Sequence, residues 1–525
     1  MRLSLVRLLS KMTSSLKKPP PANVEIVVVA GGRRDTSTCV LVSTDYSNYL
    51  FNCPEGAQRI LTDIGGSKFS RLEHIFMTTN RWKNGGGLLG MALTLQTAGG
   101  KRLSLHGPTN CDKILTMART FTTEQDELKL DIEPCFSSST ADFETMFSDD
   151  SITVGCIPLL ASENGSSKKR RNSPEFGLDA ALAYVITPKP KNRKVDMNKC
   201  VALGLPRGPA IGKLVQGETI TLQDGRVIKP DDVLDDQLPS RPVIFVECPN
   251  SDYLDALTSN SLIKQMMQDG DDLEKIAQLV VHMSPSDVFM DEEYQQWMKS
   301  FCDKTQHLVL NENCPFVAHD RIYRIQSQLN LLDDDIFKLL DDQKEEQIQL
   351  SASKNPLDQS DQTIVQGGTG LSYNCRLGEF QSSVEKKSFP ISLSNEEFLT
   401  EINRADDSEF SKSLKVYKDK VGQMAKQDDL FPKILFLGTA SAVPGKRRNS
   451  SAILLQLLNE NGKKKYCLMD CAEGTVGQFF RYFGNEQFDQ VLSELDLVLL
   501  SHRHADHHMV NYFSKTLLFR LIVVF

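Results

Sequence analysis

Apolar and polar positions fall into short blocks along this chain, and one series of blocks occurs twice in the same order. The first series opens with Glu25-Ile26-Val27-Val28-Val29-Ala30, which reads as a strand running into Gly31-Gly32. Thr38-Cys39-Val40-Leu41-Val42 and Tyr49-Leu50-Phe51-Asn52 predict two more strands. Pro54-Glu55-Gly56 then turns the chain toward a helix near Gln58-Arg59-Ile60-Leu61. Leu72-Glu73-His74-Ile75-Phe76-Met77 is a further strand, followed by a polar, glycine-rich stretch over 78–87. The second series runs Lys433-Ile434-Leu435-Phe436-Leu437 into Gly438-Thr439, then 451–455, then 466–470. Ala472-Glu473-Gly474 repeats Pro54-Glu55-Gly56, and residues 495–500 repeat 72–77. The period is too long for a solenoid, so this is a duplication at the scale of a domain.

Between the two series, residues 243–249 and 276–283 predict strands of the first domain. His106 and His282 lie on apolar strands and are expected in the core. Residues 331–349 are acidic and predict a helix. Residues 351–395 are polar with little periodicity and read as an interdomain linker, partly disordered; 395–421 predict helix. Two inserts are basic. One is the run Lys168-Lys169-Arg170-Arg171, a pattern of nuclear-import or nucleic-acid patches that also occurs in plain solvated loops. The other covers about 189–236, is rich in Gly and Pro, and lacks large apolar groups to bury itself. It ends in a hairpin with an Asp224-Gly225 turn, and the whole reads as a stalk with a small basic tip.

At 525 residues the chain has room for two to three domains, and its 40% apolar fraction supports sizeable cores. A net charge of −8 means that any nucleic-acid contact must come from local basic patches. Twelve cysteines without a Cys-x-x-Cys pair read as reduced intracellular thiols. No apolar run approaches the ~20 residues needed to cross a bilayer. Residues 1–23 contain no acidic residue and mix Arg, Lys, Ser and Leu, the composition of a mitochondrial transit peptide; Met12 would start a product lacking most of it.

The chemistry concentrates in Ser501-His502-Arg503-His504-Ala505-Asp506-His507-His508, where a predicted strand gives way to a loop. His502 and His504 can turn two imidazoles toward one metal ion, and Asp506 and His507 can reach a second beside it. Imidazole and carboxylate are ordinary zinc ligands, and two zincs about 4 Å apart can share a hydroxide that attacks phosphorus. Overlaying the two series puts Thr79 on His502, Arg81 on His504, Lys83 on Asp506 and Asn84 on His507. Cations at two of these positions would repel a divalent ion, so the first copy keeps the fold without the metal site.

These motifs resemble the long form of ribonuclease Z, a transfer-RNA 3′-processing endonuclease of the metallo-β-lactamase superfamily. The resemblance rests on His507-His508 within the histidine motif, the loop Pro444-Gly445-Lys446-Arg447-Arg448-Asn449, and Asp470-Cys471-Ala472-Glu473-Gly474-Thr475. The Gly208-Pro209 stalk is similar to the family's flexible arm. The family pattern has Gly where Ala472 stands. The resemblance implies an α/β fold of tandem metallo-β-lactamase-like αββα sandwiches, the second incomplete. Its parts would be a basic N-terminus over 1–23, a metal-free domain over 24–340 carrying the arm, a linker over 341–430, and the N-terminal half of the catalytic domain over 431–525. It also implies one zinc on His502 and His504 and another on Asp506 and His507, with Asp506 as the proton acceptor for the attacking water. Precursor tRNA would be the partner, held by Lys446, Arg448 and Asn449 near the site and by Gly208, Pro209 and Lys213 on the arm. Mitochondrion and nucleus would be its locations, and no membrane association is expected.

The family supplies further metal ligands downstream, whereas this sequence ends 17 residues after His508 and has no histidine in those residues. Three readings therefore stand: a tRNA 3′ endonuclease that is truncated and weak or inactive, a non-catalytic tRNA-binding form, and a hydrolase of the same superfamily with another substrate.

Overall fold

A computed structural model of the chain describes residues 19–64, 69–119, 129–136, 143–162, 180–205, 208–222, 224–236, 238–314, 320–340, 364–382, 408–421, 430–441, 444–502, 504–508 and 520–523. The first copy builds two sheets. One has eight strands in the order Glu379–Ser382, Leu371–Asn374, Val24–Ala30, Cys39–Thr44, Asn48–Phe51, Leu72–Phe76, Arg102–Gly107 and Asp131–Phe136. The other has seven, in the order Ile364–Gln366, Gln306–Val309, Leu279–His282, Val243–Val246, Ala180–Pro188, Ile152–Leu160 and Glu144–Ser148.

Both faces of each sheet are covered, which is why these strands read as nearly unbroken apolar runs. Along the first strand Val24, Ile26 and Val28 enter the layer between the sheets, among Phe51, Tyr184 and Phe245. Val27 and Val29 point outward to the helices Ala57–Ile64 and Leu88–Thr97. The second sheet is covered in the same way by helices that include Ser261–Met267 and Glu292–Lys299, through Met266 and Trp297. The result is an αββα sandwich.

The second copy repeats the first sheet. Lys433–Gly438, Ala452–Leu458, Lys464–Met469, Leu495–Leu500 and Arg520–Val523 pair in that order. Even the bulge recurs: register shifts at Val28/Ala30 in the first copy and at Phe436/Gly438 in the second. The helix Thr475–Ser493 covers one face through Phe479, Phe480, Phe488 and Val491. Burying each phenylalanine there contributes about 2–3 kcal/mol. On the opposite face Ile434 and Phe436 are exposed.

Three expectations change. Within the segment expected to be a linker, Ile364–Gln366 adds to the edge of one sheet, and Leu371–Asn374 with Glu379–Ser382 adds to the other. These strands are short and polar because an edge needs few apolar positions, so they carry no periodic signal. Of the acidic helix expected over 331–349, only 331–332 is helical, as the end of the helix Asp320–Leu332; 333–340 is turn and irregular chain, and 341–350 falls outside the described residues. The arm does bury a core of its own: Cys200, Leu205, Leu214, Ile228, Val233 and Leu234 pack together. Around them lie the helices Met197–Ala202 and Pro209–Val215 and the expected hairpin, Ile220–Thr221 with Val227–Ile228. Among the described residues no helix is long and apolar enough to cross a membrane.

His106 and His282 are buried as expected, and each has an imidazole partner: His74 Nδ1 lies 3.1 Å from His106 Nε2, and His282 Nε2 lies 2.9 Å from His307 Nδ1. Burial opposes a charge on these rings and pushes His106 down to about 3 and His307 down to about 4. An unfolded chain takes up a proton at each near pH 6.5, the folded one only well below it. Their contribution is therefore complete above pH 6.5 and is lost as pH falls toward 4. Exchange protection of amides in Arg102–Gly107 and Leu279–His282, corrected for intrinsic rates, should fall roughly tenfold per pH unit between 6.5 and 4.5. Protection that holds constant over that window would contradict the assignment.

Candidate metal centre

The candidate site is built on a turn present in both copies. Asn52 and Asp470 end equivalent strands in the left-handed region, at φ 60° and 59°, a conformation that Asn and Asp tolerate better than most residues. In the first copy Asn52 Oδ1 accepts the Thr78 N–H at 2.9 Å. In the second, Asp470 Oδ1 accepts the Ser501 N–H at 2.8 Å and Oδ2 the Ser501 hydroxyl at 3.0 Å. The Cys53 and Cys471 N–H groups donate to the carbonyls of Asn84 and His507, both at 2.7 Å. The two loops thus share one scaffold and differ in what it presents.

The second copy presents imidazoles. His507 Nδ1 lies 2.8 Å from Asp470 Oδ2 and must donate to it, because a carboxylate only accepts. That fixes the tautomer and leaves Nε2 with a lone pair on the Asp506 side, 3.3 Å from Asp506 Oδ2. The Ser501 hydroxyl has one proton and gives it to Asp470. It therefore accepts from His502 Nδ1, 2.9 Å away, which leaves His502 Nε2 with its lone pair. That nitrogen lies 3.0 Å from His504 Nδ1. Two nitrogens on one tetrahedral zinc stand about 3.4 Å apart, so a slight opening of this pair would admit the ion. Asp470 and Ser501 thus orient two imidazoles from one carboxylate, a role that the reading of the histidine motif missed. The signal was present in the Asp470-Cys471 motif, but the 31 residues separating Asp470 from Ser501 hid it.

His502, His504, Asp506 and His507 are all half-buried, and they form two pairs, His502–His504 and Asp506–His507. No three of them bring one donor atom each within 4.8 Å; among the described residues only the mostly exposed Asp333-Asp334-Asp335 does. Arg503 lies outside the described residues, as do 1–18 and the basic run over 168–171.

The first copy presents an ion pair instead. Lys83 Nζ lies 2.9 Å from Glu247 Oε1, and the Thr78 hydroxyl and Asn84 Nδ2 donate to Glu247 Oε2, the latter at 2.6 Å. Burial alone would raise the Glu247 pKa, but the Lys83 charge and the Thr78 hydroxyl outweigh it and hold the carboxyl below its usual range. An ammonium thus stands beside this carboxylate, on the position equivalent to Asp506.

Of the residues expected to meet RNA, Lys446 is half-buried and Arg448 exposed on their loop. Asn449 is a correction: it is 3% exposed, and its Nδ2 donates to the Glu473 carbonyl at 2.9 Å, so it braces the loop from inside. Gly208, Pro209 and Lys213 are exposed on the arm. The arm's root is tied to the sandwich by Lys189 Nζ, which donates to Ser148 Oγ and Thr153 Oγ1 at 2.9 and 2.8 Å.

A family model described as tRNase Z endonuclease matches residues 27–87, within the copy that lacks the histidines. The mitochondrial ribonuclease Z of Drosophila melanogaster is 32% identical over 506 residues, covering 93% of this chain and 62% of that protein. Human zinc phosphodiesterase ELAC protein 2 is 33% identical over 532 residues, covering 93% of this chain and 60% of that one. This chain therefore spans about three fifths of the length of these curated relatives. A long form RNase Z from yeast, known from its crystal structure, superposes with a TM-score of 0.65 at 16% identity, covering 95% of this chain and 70% of that one. That likeness establishes the shared fold.

Asp470→Asn separates shape from chemistry. Asn52 shows that an asparagine holds this turn, so the variant should fold with a melting temperature within a few degrees of the parent. Its amide would offer N–H groups to His507 Nδ1 and reverse the ring's tautomer. Zinc affinity, measured by chelator competition, should fall about 10–100-fold. Unchanged affinity would remove Asp470 from the site.

Proposed function

Since this chain is a homologue of long-form ribonuclease Z over 93% of its length, we propose that it serves the removal of 3′ trailers from precursor tRNA as a zinc-dependent endonuclease. The observation that carries this reading is the pair of oriented imidazole lone pairs, on His502 and His507, at a strand end. In this reading His502 and His504 hold one zinc, and Asp506 and His507 hold a second. Zinc so held supplies a hydroxide at neutral pH and positive charge for the phosphate oxygens. The chain's own residues do the rest. Asp506 accepts the proton of the attacking water, and Asp470 keeps the His507 ring in the ligating tautomer. Lys446 and Arg448 neutralise backbone phosphates and set the register of the 3′ end without reading its bases. The arm holds the body of the tRNA through Gly208, Pro209 and Lys213.

The separation of the four donors into two pairs favours a second reading for the chain as it stands, in which it holds tRNA and cleaves it weakly or not at all. Purified residues 1–525 should therefore bind zinc less tightly than a site with four protein ligands and cleave a precursor tRNA with a 3′ trailer slowly. Two tightly bound zincs with robust cleavage, abolished by Asp506→Ala, would establish the full enzyme instead. No zinc binding in excess of a His502→Ala/His504→Ala variant would sink the metal reading.

Binding through the arm should not depend on metal. Affinity for tRNA should weaken by about 0.7–0.9 log units per phosphate contact for each log unit of salt, and deleting 200–230 should abolish most of that slope. Equal slopes with and without the arm would rule it out. For location, a mitochondrial destination is supported by the Drosophila relative's name, and a nuclear product starting at Met12 is proposed beside it. A fluorescent fusion of residues 1–40 should enter mitochondria; diffuse cytosolic signal would contradict this.

A further inference from the structure

The turn that carries Asp470 is also held from outside its own unit. Glu473, three residues on, is 4% exposed and reaches into the first copy. Its Oε1 accepts the Gly56 N–H at 3.0 Å and its Oε2 accepts Gln58 Nε2 at 2.9 Å. Gln58 is itself fixed, since its Oε1 accepts the Thr94 hydroxyl. The fit leaves no slack: a Cβ placed on Gly90 would lie 1.9 Å from Glu473 Oε2. The contact is reciprocal, because Glu55, the counterpart of Glu473, accepts the Gly474 N–H and takes Trp82 Nε1 at 2.8 Å. Gly56 and Gly474 both stand at positive φ, 81° and 78°, which turns each N–H toward the other unit's glutamate.

The residue after Gln58 reaches the other loop. Arg59, 3% exposed, donates from Nε to the Gly445 carbonyl at 3.1 Å, inside the Lys446–Arg448 loop. The two loops also meet at Glu473, whose carbonyl takes Asn449 Nδ2. Within the turn, Thr475 Oγ1 donates to the Ala472 carbonyl at 2.7 Å, and the Cys471 N–H holds the His507 carbonyl. A displacement of Glu473 is thereby passed to Asp470, Ser501 and His507.

We propose that the helix Ala57–Ile64 of the metal-free copy positions the metal loop and the phosphate-binding loop of the second copy, with Gln58 acting through Glu473 and Arg59 acting through Gly445 as positioning residues. The inference rests on the reading of 501–508 as a metal loop. It gives the first copy a part in shaping the site that is separate from carrying the arm.

The test uses the full chain without metal and then with zinc. In the metal-free protein, Gln58→Ala should raise amide exchange about tenfold in the peptides covering 495–508 and 444–450. With zinc, affinity should fall ~10-fold or more, as for other groups that orient ligands from behind. Glu473→Gln keeps an acceptor for the Gly56 N–H but sets its own Nε2 against Gln58 Nε2, donor facing donor, so it should move both measures in the same direction as Gln58→Ala. If Gln58→Ala does not fold, Gly90→Ala takes its place: alanine favours the helix Leu88–Thr97 while its methyl displaces Glu473. The double variant Gln58→Ala/Glu473→Ala should be no worse than Glu473→Ala alone, because removing Glu473 already breaks the Gln58 contact. Faster exchange confined to 57–64 and 88–97, with 495–508 as in the parent, overturns the proposal. If instead the parent's zinc affinity survives His502→Ala, the metal reading fails by itself, and the exchange arm still decides the positioning role.

Discussion

A single hydrogen-bonded arrangement, in which a left-handed Asn or Asp clamps a residue just past the end of a neighbouring strand, sets the geometry on which the rest depends. Asn52 with Thr78 and Asp470 with Ser501 are the same clamp. Each fixes where a strand stops and where the following loop begins, so the loop residues of both copies emerge from equivalent backbone positions. The difference between the copies is then a matter of protons. An amide oxygen at Asn52 needs only a donor facing it, which the Thr78 N–H provides, whereas Ser501 offers Asp470 both its N–H and its hydroxyl. A carboxylate at Asp470 can take a third donor, which is the His507 ring. One atom, oxygen for nitrogen in a side chain, decides whether the loop behind it can order an imidazole.

The first copy has a problem of charge of its own to solve. Glu247 is completely buried, and an unpaired carboxylate there would cost several kcal/mol. Lys83 arrives on the position that Asp506 holds in the other copy and neutralises it. The Glu247 end of this pair is buried while the Lys83 side chain is 38% exposed, so water screens part of the attraction. The pair still ties the end of Val243–Val246 in one sheet to the loop after Leu72–Phe76 in the other, a tie across the sandwich that polar neutral groups at both positions would not supply.

Much of this was legible in the sequence where the cause is local. Strands buried on both faces announce themselves as apolar runs, and Leu495–Leu500 falls where the pattern puts it. The histidine loop was legible because ligand chemistry needs particular side chains at short spacing. What was missed depends on distant partners. Strand Leu371–Asn374 exists because Val24–Ala30 offers it an edge. Strand Arg520–Val523 extends the second sheet because Leu495–Leu500 offers it an edge in the same way. Asn449 sits beside two arginines and reads as one more RNA contact, yet its partner is a carbonyl 24 residues away. Glu473 and Gln58 are ordinary helix-start residues until 415 residues of chain bring them together.

The arm's private core has a mechanical consequence. Cys200, Leu205, Leu214, Ile228, Val233 and Leu234 give the tip a shape that does not depend on the sandwich beneath it. Near its base Arg193 donates to the Leu234 and Asp235 carbonyls and pairs with Asp231, which cross-braces the two ascending chains. A tip so built would keep its shape through any movement at its root. Meeting a curved polyanion then requires freezing a few hinge angles instead of ordering some forty residues. In the proposed role the arm would act as a caliper, whose jaw keeps its form while its reach adjusts.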